Sequence, residues 1–183
     1  MLFKLAHYIL SHFPFLWAII ENINSLLFVI LYKERLKNIP DIANEGDAEA
    51  LALFFSQQPE SAYTYFRPHA FDIESLRKLL KHKSMVVHVV YQDNKIIGYC
   101  FLRCFFIGKG YRGYIVDSTQ QKKGIGKKMG LWLNNAASTL RIRTYKTINN
   151  NNAASLNLAR ATCLLIVTQE LQNGDVEYEC VNR

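Results

Sequence analysis

Acidic residues are scarce in this chain: 15 aspartates and glutamates stand against 22 lysines and arginines, a formal charge of +7. That balance repels polyamine-like cations unless a site is locally acidic. It suits acidic ligands such as a phosphorylated cofactor, a nucleotide-linked substrate or an anionic lipid surface. Nucleic acid would suit the charge too, but no arginine-rich run and no zinc-type Cys/His spacing supports it. Cysteine is also sparse. Cys100, Cys104, Cys163 and Cys180 are scattered, mostly inside apolar runs, and no Cys-x-x-Cys occurs. The pattern argues against a structural metal and for free core thiols in a reducing cytoplasm. What is present is length and apolar content: 183 residues, 50% hydrophobic, enough for one domain plus a little, with a real core.

Residues 2–32 are very apolar. Leu2, Leu5, Ala6, Ile9, Leu10 and Phe13 recur at helical spacing; Pro14 interrupts; Leu16, Ile19, Ile20, Ile23, Leu27, Ile30 and Leu31 begin a second pattern. No small-residue cleavage site follows, which argues against a signal peptide. A membrane-spanning helix meets Glu21, which would cost roughly 2–3 kcal/mol near the bilayer centre. An amphipathic segment lying on a membrane surface, and a helical hairpin packed on the domain's own core or on a partner subunit, are the other readings. The division expected is therefore 1–37, an apolar amphipathic helical segment, and 38–183, a folded domain.

Within that domain, residues 48–55 read as a helix with Asp47 as its N-cap, and 73–82 as another capped by Asp72. Residues 85–91 and 96–106 read as strands joined by a hairpin at 92–95, with a third strand over 111–117. A helix over 125–139, a strand over 141–148, a helix from 153 to about 162 capped by Asn152, and a final hairpin across 173–175 complete the order.

The chain is organised around Gln121-Lys122-Lys123-Gly124-Ile125-Gly126, set between strand and helix and followed by Lys127. A glycine-bearing turn into a helix presents free backbone N–H groups at a positive helix end, a site for phosphate. A Walker loop would need Ser or Thr after the lysine, where Lys128 stands. A dinucleotide fingerprint would need glycine where Met129 stands. What remains, Gln-x-x-Gly-x-Gly after a three-strand meander and before a strand–Asn152–helix unit, resembles the acyl-CoA-binding core of the GNAT acetyltransferase superfamily, and the likeness runs from about residue 38 onward.

That resemblance implies an α+β GNAT fold: a mixed, mostly antiparallel central sheet with flanking helices, here with the N-terminal apolar helical segment added. It implies acetyl-CoA as co-substrate and no metal. Gln121, Lys122, Lys123, Gly124, Ile125, Gly126 and Lys127 would hold the pyrophosphate. Asn152 and Ser155 would meet the pantetheine arm. Backbone N–H groups of Ile115 and Val116, on a splayed strand, would polarise the thioester carbonyl. The aromatic loop before the 73–82 helix would line the acceptor site with Tyr63, Tyr65 and Arg67. Arg67 suits an acidic or phosphorylated acceptor.

Two departures from the family stand out. A tyrosine that commonly protonates the leaving thiolate, seven residues after the asparagine, is replaced by Ala159, and the usual Gly-Phe helix ending by Cys163-Leu164. Tyr145 is the candidate acid instead, or water, or no dedicated group. For the general base, His69 comes first and Asp117 second. The function expected is N-acetylation of a small amine, with a nucleotide-linked amino sugar of surface polysaccharide assembly as the acceptor. A protein N-terminus or an antibiotic stays open, and a non-catalytic acyl-CoA-binding or membrane-recruited regulatory module is the alternative. The location expected is cytoplasmic, at the inner membrane face. Residues 1–37 would contact the membrane or pair two copies.

Overall fold

The computed structural model describes residues 14–182, so the first apolar pattern, through Phe13, lies outside the described residues. The chain is an α+β fold with one six-stranded sheet in the order β1-β2-β3-β4-β6-β5. Helix α1 (Pro14–Leu36) leads to α2 (Ala48–Ser56) and α3 (Ile73–Lys81). The meander β1 (Met85–Gln92), β2 (Lys95–Phe105) and β3 (Lys109–Val116) follows. Then come α4 (Ile125–Leu140), β4 (Arg143–Asn149), α5 (Ala153–Thr162), β5 (Cys163–Glu170) and β6 (Asp175–Asn182). The β1–β2 turn is two residues, Asp93 and Asn94, both at positive φ (50° and 61°), the geometry that suits the twist of a hairpin.

Every strand pair is antiparallel except β3–β4, which runs parallel and pairs only Lys109, Gly110 and Tyr111 with Arg143, Thr144 and Tyr145. Beyond Tyr111 and Tyr145 the two strands part. The parting has a chain-level cause. β3 must leave toward the turn that opens α4, whereas β4 leaves toward α5, so their C-terminal ends diverge under separate helices.

The two sheet faces are covered differently. α4 buries Ile125, Met129, Leu133, Ala136, Ala137 and Leu140, at helical spacing, against Val86, Cys100, Leu102 and Cys104. α2 and α3 bury Leu51, Phe54, Phe55, Leu76 and Leu80 against Val87, Tyr99, Phe101 and Ile115 on the other face. Helix α1 joins the first of these cores. Phe28 is fully buried and stacks on Tyr32 at 4.7 Å. Asn24 donates to the Cys104 carbonyl and accepts from the Phe106 N–H. Glu21 pairs with Arg103, and Arg35 donates to the Leu140 carbonyl at the C-terminal, negative end of α4. Its opposite side leaves Ile19, Ile20, Ile23, Leu26, Ile30 and Leu31 exposed. Among the described residues, no helix is long and apolar enough to cross a membrane.

Two local expectations change. Asp47 does not cap α2 with its side chain. It is the third residue of a short 3-10 turn capped by Asn44, and its carboxylate accepts from the Asn44 N–H at 2.8 Å in a reciprocal capping box. Arg141 does not begin a strand. It sits at φ 55° as the left-handed C-cap of α4, and β4 starts two residues later.

Candidate active site

The turn before α4 ends in Gly124, whose φ of +82° places it in the left-handed region where only glycine is unstrained. No side chain caps the helix that follows. The first N–H groups of α4 have no intrahelical acceptor by geometry, so they point outward as a free cluster of donors at the positive helix end. Gln121, Lys122, Lys123 and Lys127 are exposed around them. Lys123 reaches back to Gln120 at 2.8 Å, and Lys122 and Lys127 form no ion pair among the described residues. Ile125 and Gly126 are buried. At Gly126 a Cβ would stand 2.5 Å from Leu158 Cδ2, so its absence lets α5 lie close to the start of α4.

The opening between β3 and β4 leads from this turn into the sheet. Strand parity decides which peptide groups line it. Asp117 N–H donates to the Ile97 carbonyl, so the odd-numbered residues of β3 turn their peptides to β2. Ile115, opposite Tyr99, is therefore engaged in the ladder. Val116 and Tyr114 present their peptide groups to the opening. On the other wall, Asn150 N–H donates to Gly174, which turns Thr144, Lys146 and Ile148 toward β6 and leaves the Thr147 peptide facing the opening. The outer end is flanked by two helix N-termini. α4 carries the uncapped turn. α5 is capped by Asn152, whose Oδ1 accepts from the Ser155 N–H at 3.0 Å.

The loop at 63–72 lies across the other sheet face. Tyr63 donates to the Phe55 carbonyl and packs on Phe71. Arg67 donates to the Tyr63 carbonyl at 3.3 Å and lies 3.7 Å from Glu60, its head exposed. Tyr65 is half exposed. A shallow cavity of about 400 Å³ opens here, lined by Phe55, Gln58, Glu60, Tyr63 and Phe71 among others. Gln58 joins this wall to the end of β3: it accepts from the Ser118 N–H at 3.0 Å and its amide lies 3.4 Å from Asp117.

Residues 83–159 match the model of the acetyltransferase (GNAT) domain family. That stretch, from the start of the meander to α5, is similar to a GNAT domain. Among solved structures, the GNAT domain of S. lividans PAT is 16% identical, with 75% of this chain and 86% of that one covered at a TM-score of 0.65. The ribosomal-protein-S5-alanine acetyltransferase from Vibrio fischeri is 20% identical over 77% and 91%, at 0.61. The aminoglycoside acetyltransferase AAC(6')-Ib, solved with coenzyme A and kanamycin, is 13% identical over 78% and 92%, at 0.60. At these identities the likeness is one of fold. A search of curated proteins found no match.

The residues named for proton transfer are held differently from one another. His69 Nδ1 bonds the Ala70 carbonyl at 2.7 Å, which makes it the protonated nitrogen, and Nε2 lies 2.8 Å from the Tyr99 hydroxyl. Tyr99 is fully buried, and burial raises its pKa well above the usual value, so it is the donor and His69 Nε2 the acceptor. The ring is wedged edge-on among Phe55, Phe71 and Phe101. An acceptor amine must displace the Tyr99 hydroxyl before it can use that nitrogen. Burial also lowers the His69 pKa below its ordinary 6.5, with the Ala70 bond partly opposing. The sign follows directly: below 6.5 the unfolded chain takes up a proton that the folded ring resists, so stability is full above 6.5 and falls as pH drops below it. His69→Gln is expected to flatten this acid slope in urea titrations run between about pH 5 and 7.

Asp117 is committed to structure. It caps the 3-10 turn Ser118–Gln120, accepting from the Thr119 N–H at 2.8 Å and the Thr119 hydroxyl at 2.6 Å. Burial pushes its pKa up, but Thr119 and Gln58 outweigh that and hold it below the usual carboxylate value. Tyr145 is buried on the paired side of the β3–β4 junction, 5.8 Å from the Tyr111 ring, and alternation puts it on the sheet face opposite Lys146.

Sequence reasoning missed a group of polar residues just inside the opening: buried Arg112 and Lys146, with half-buried Tyr114 between them. Alternation was the available signal, since Lys146 falls between inward-facing Thr144 and Ile148, and Arg112 two residues before Tyr114.

Proposed function

We propose that the protein transfers an acetyl group from acetyl-CoA to the amine of a small acceptor. The observation that carries this reading is the uncapped N-terminus of α4, opening directly onto the parted strands β3 and β4. Pyrophosphate meets the free N–H groups with Lys122, Lys123 and Lys127 around them. The pantetheine arm runs into the opening past Asn152 and Ser155, and the Val116 and Tyr114 peptides offer the hydrogen bonds an extended amide-bearing chain needs. The donor then lies where the sheet is open to both faces, and the acceptor comes from the side of the 63–72 loop.

For the acceptor we favour a nucleotide-linked amino sugar. Exposed Arg67 and Tyr65 beside the cavity under Tyr63 support it: a guanidinium for phosphate and an aromatic face for a base or sugar. We place the protein in the cytoplasm at the inner membrane face. The exposed stripe Ile19, Ile23, Leu26 and Ile30 on a helix ending in Lys33 and Arg35 supports that placement. Pairing of two copies through this stripe would bury the same surface. A second reading, an acyl-CoA-binding module without turnover, is favoured by Ala159 alone. Release of free thiol from acetyl-CoA against a panel of amines separates the two. Turnover with amino-sugar nucleotides supports the enzyme, whereas tight CoA binding with no thiol release from any amine defeats it.

A further inference from the structure

The polar group inside the opening lacks a balancing anion. Arg112 is buried on β3. Its guanidinium donates to Asn134 at 2.7 Å and lies 3.5 Å from Cys163 Sγ, while its Nε has no partner. Lys146, on β4, is 6% exposed, with Nζ 3.5 Å from the centroid of the Tyr114 ring. The Tyr114 hydroxyl is buried and faces Ser155 at the start of α5. No carboxylate pairs with either cation among the described residues. The other groups facing Lys146 are Cys163, Cys180 and its cross-strand partner Tyr178. The Cys163 thiol is drawn down by a hydrogen bond from Cys180, against burial, with Arg112 adding to the effect. Even with Cys163 ionised, Arg112 and a charged Lys146 would face one anion with little solvent around them, a costly arrangement unless a ligand completes it.

Position supplies the ligand. The last β3–β4 pair is Tyr111–Tyr145, so Lys146 is the first β4 residue beyond the closed end of the opening, and its contact with Tyr114 bridges the two strands there. The end of a thioester donor that penetrates deepest carries the sulfur. We propose that Lys146 is the proton donor to the departing thiolate, held in place by Tyr114 and poised by Arg112. This rests on the acetyl-transfer reading. The acceptor's neutral amine attacks the thioester carbonyl, the C–S bond breaks, and its electron pair goes to sulfur. Lys146 gives one Nζ proton to that sulfur, forming the free thiol. The proton shed by the acceptor nitrogen passes to solvent, and neutral Lys146 recovers one from the same pool. Burial and Arg112 bring Lys146 down to about 7, with Cys180 and Cys163 opposing, so it exchanges protons near neutral pH rather than remaining charged.

The variant is Lys146→Met, which keeps the stem and removes the amine. With acetyl-CoA and an accepted amine, kcat should fall roughly 100-fold with KM for acetyl-CoA unchanged, and the loss of activity above about pH 7 should disappear. A readout without turnover accompanies it. CoA bound to the native protein should show its ultraviolet thiolate band at lower pH than CoA bound to Lys146→Met. Thermal unfolding and CoA affinity confirm that the variant is folded and loaded. Unchanged kcat and pH profile, or a rise in KM with kcat intact, overturns the proton-donor role. A native protein that binds CoA but never releases thiol overturns the acetyl-transfer reading itself.

Discussion

Gly126→Val is expected to weaken coenzyme A binding by about 5–150-fold, the equivalent of the roughly 1–3 kcal/mol that overpacking typically costs. At this position a Cβ meets Leu158 Cδ2 at 2.5 Å and stands 3.6 Å from Val116 Cγ2. The leucine tip can turn aside for one methyl group, so Gly126→Ala should bind within a few-fold of the native protein. A branched side chain must also clear Val116, the residue whose peptide lines the opening. The remaining relief is to move α5 away from α4, which displaces Asn152 from the uncapped turn. Calorimetric titration with CoA reads the effect, and thermal unfolding reports any part that is plain destabilisation. Binding of the valine variant at native strength would mean that the spacing of these two helix ends does not shape the donor site.

Phe28→Ala is expected to destabilise the protein by about 3–5 kcal/mol, the range for a buried phenylalanine. In a chain of this length that lowers the melting temperature by roughly 6–20 °C. The expectation follows from α1 being part of the main core. Phe28 is fully buried, stacks on Tyr32, and shares its cluster with Leu102, Leu133 and Leu140. A detached membrane segment would show almost no effect. Ile30→Ala on the exposed side of the same helix should change stability by less than about 0.5 kcal/mol. The contrast, measured by urea unfolding, separates the buried side of α1 from the exposed stripe available to a membrane or a second copy.

Much of the protein was legible in one dimension because its signals are local. Alternation marked the meander, Asp93-Asn94 marked the hairpin, Asp72 and Asn152 announced their helices, and Gly124 marked the turn into α4 through the backbone conformation glycine permits. These readings depend on residues within a few positions of one another, where propensity and capping act. Asp47 misled for the same reason. Asn44 offered a competing cap three residues earlier, and the reciprocal capping box took Asp47 into the preceding turn.

Tertiary structure decided what depends on residues far apart in the chain. The side of β3 that faces the opening follows from pairing with β2, and that pairing withdrew Ile115 and offered Tyr114. The Tyr99 hydroxyl, thirty residues from His69, occupies the nitrogen a base would need. Arg112 and Lys146 meet because two strands run parallel for three pairs and then part. Burial and charge balance are sums over every element packed around a side chain. The sequence by itself therefore determined the glycine turn before α4 and the order of elements, and the packed fold determined which buried groups lie between the parted strands.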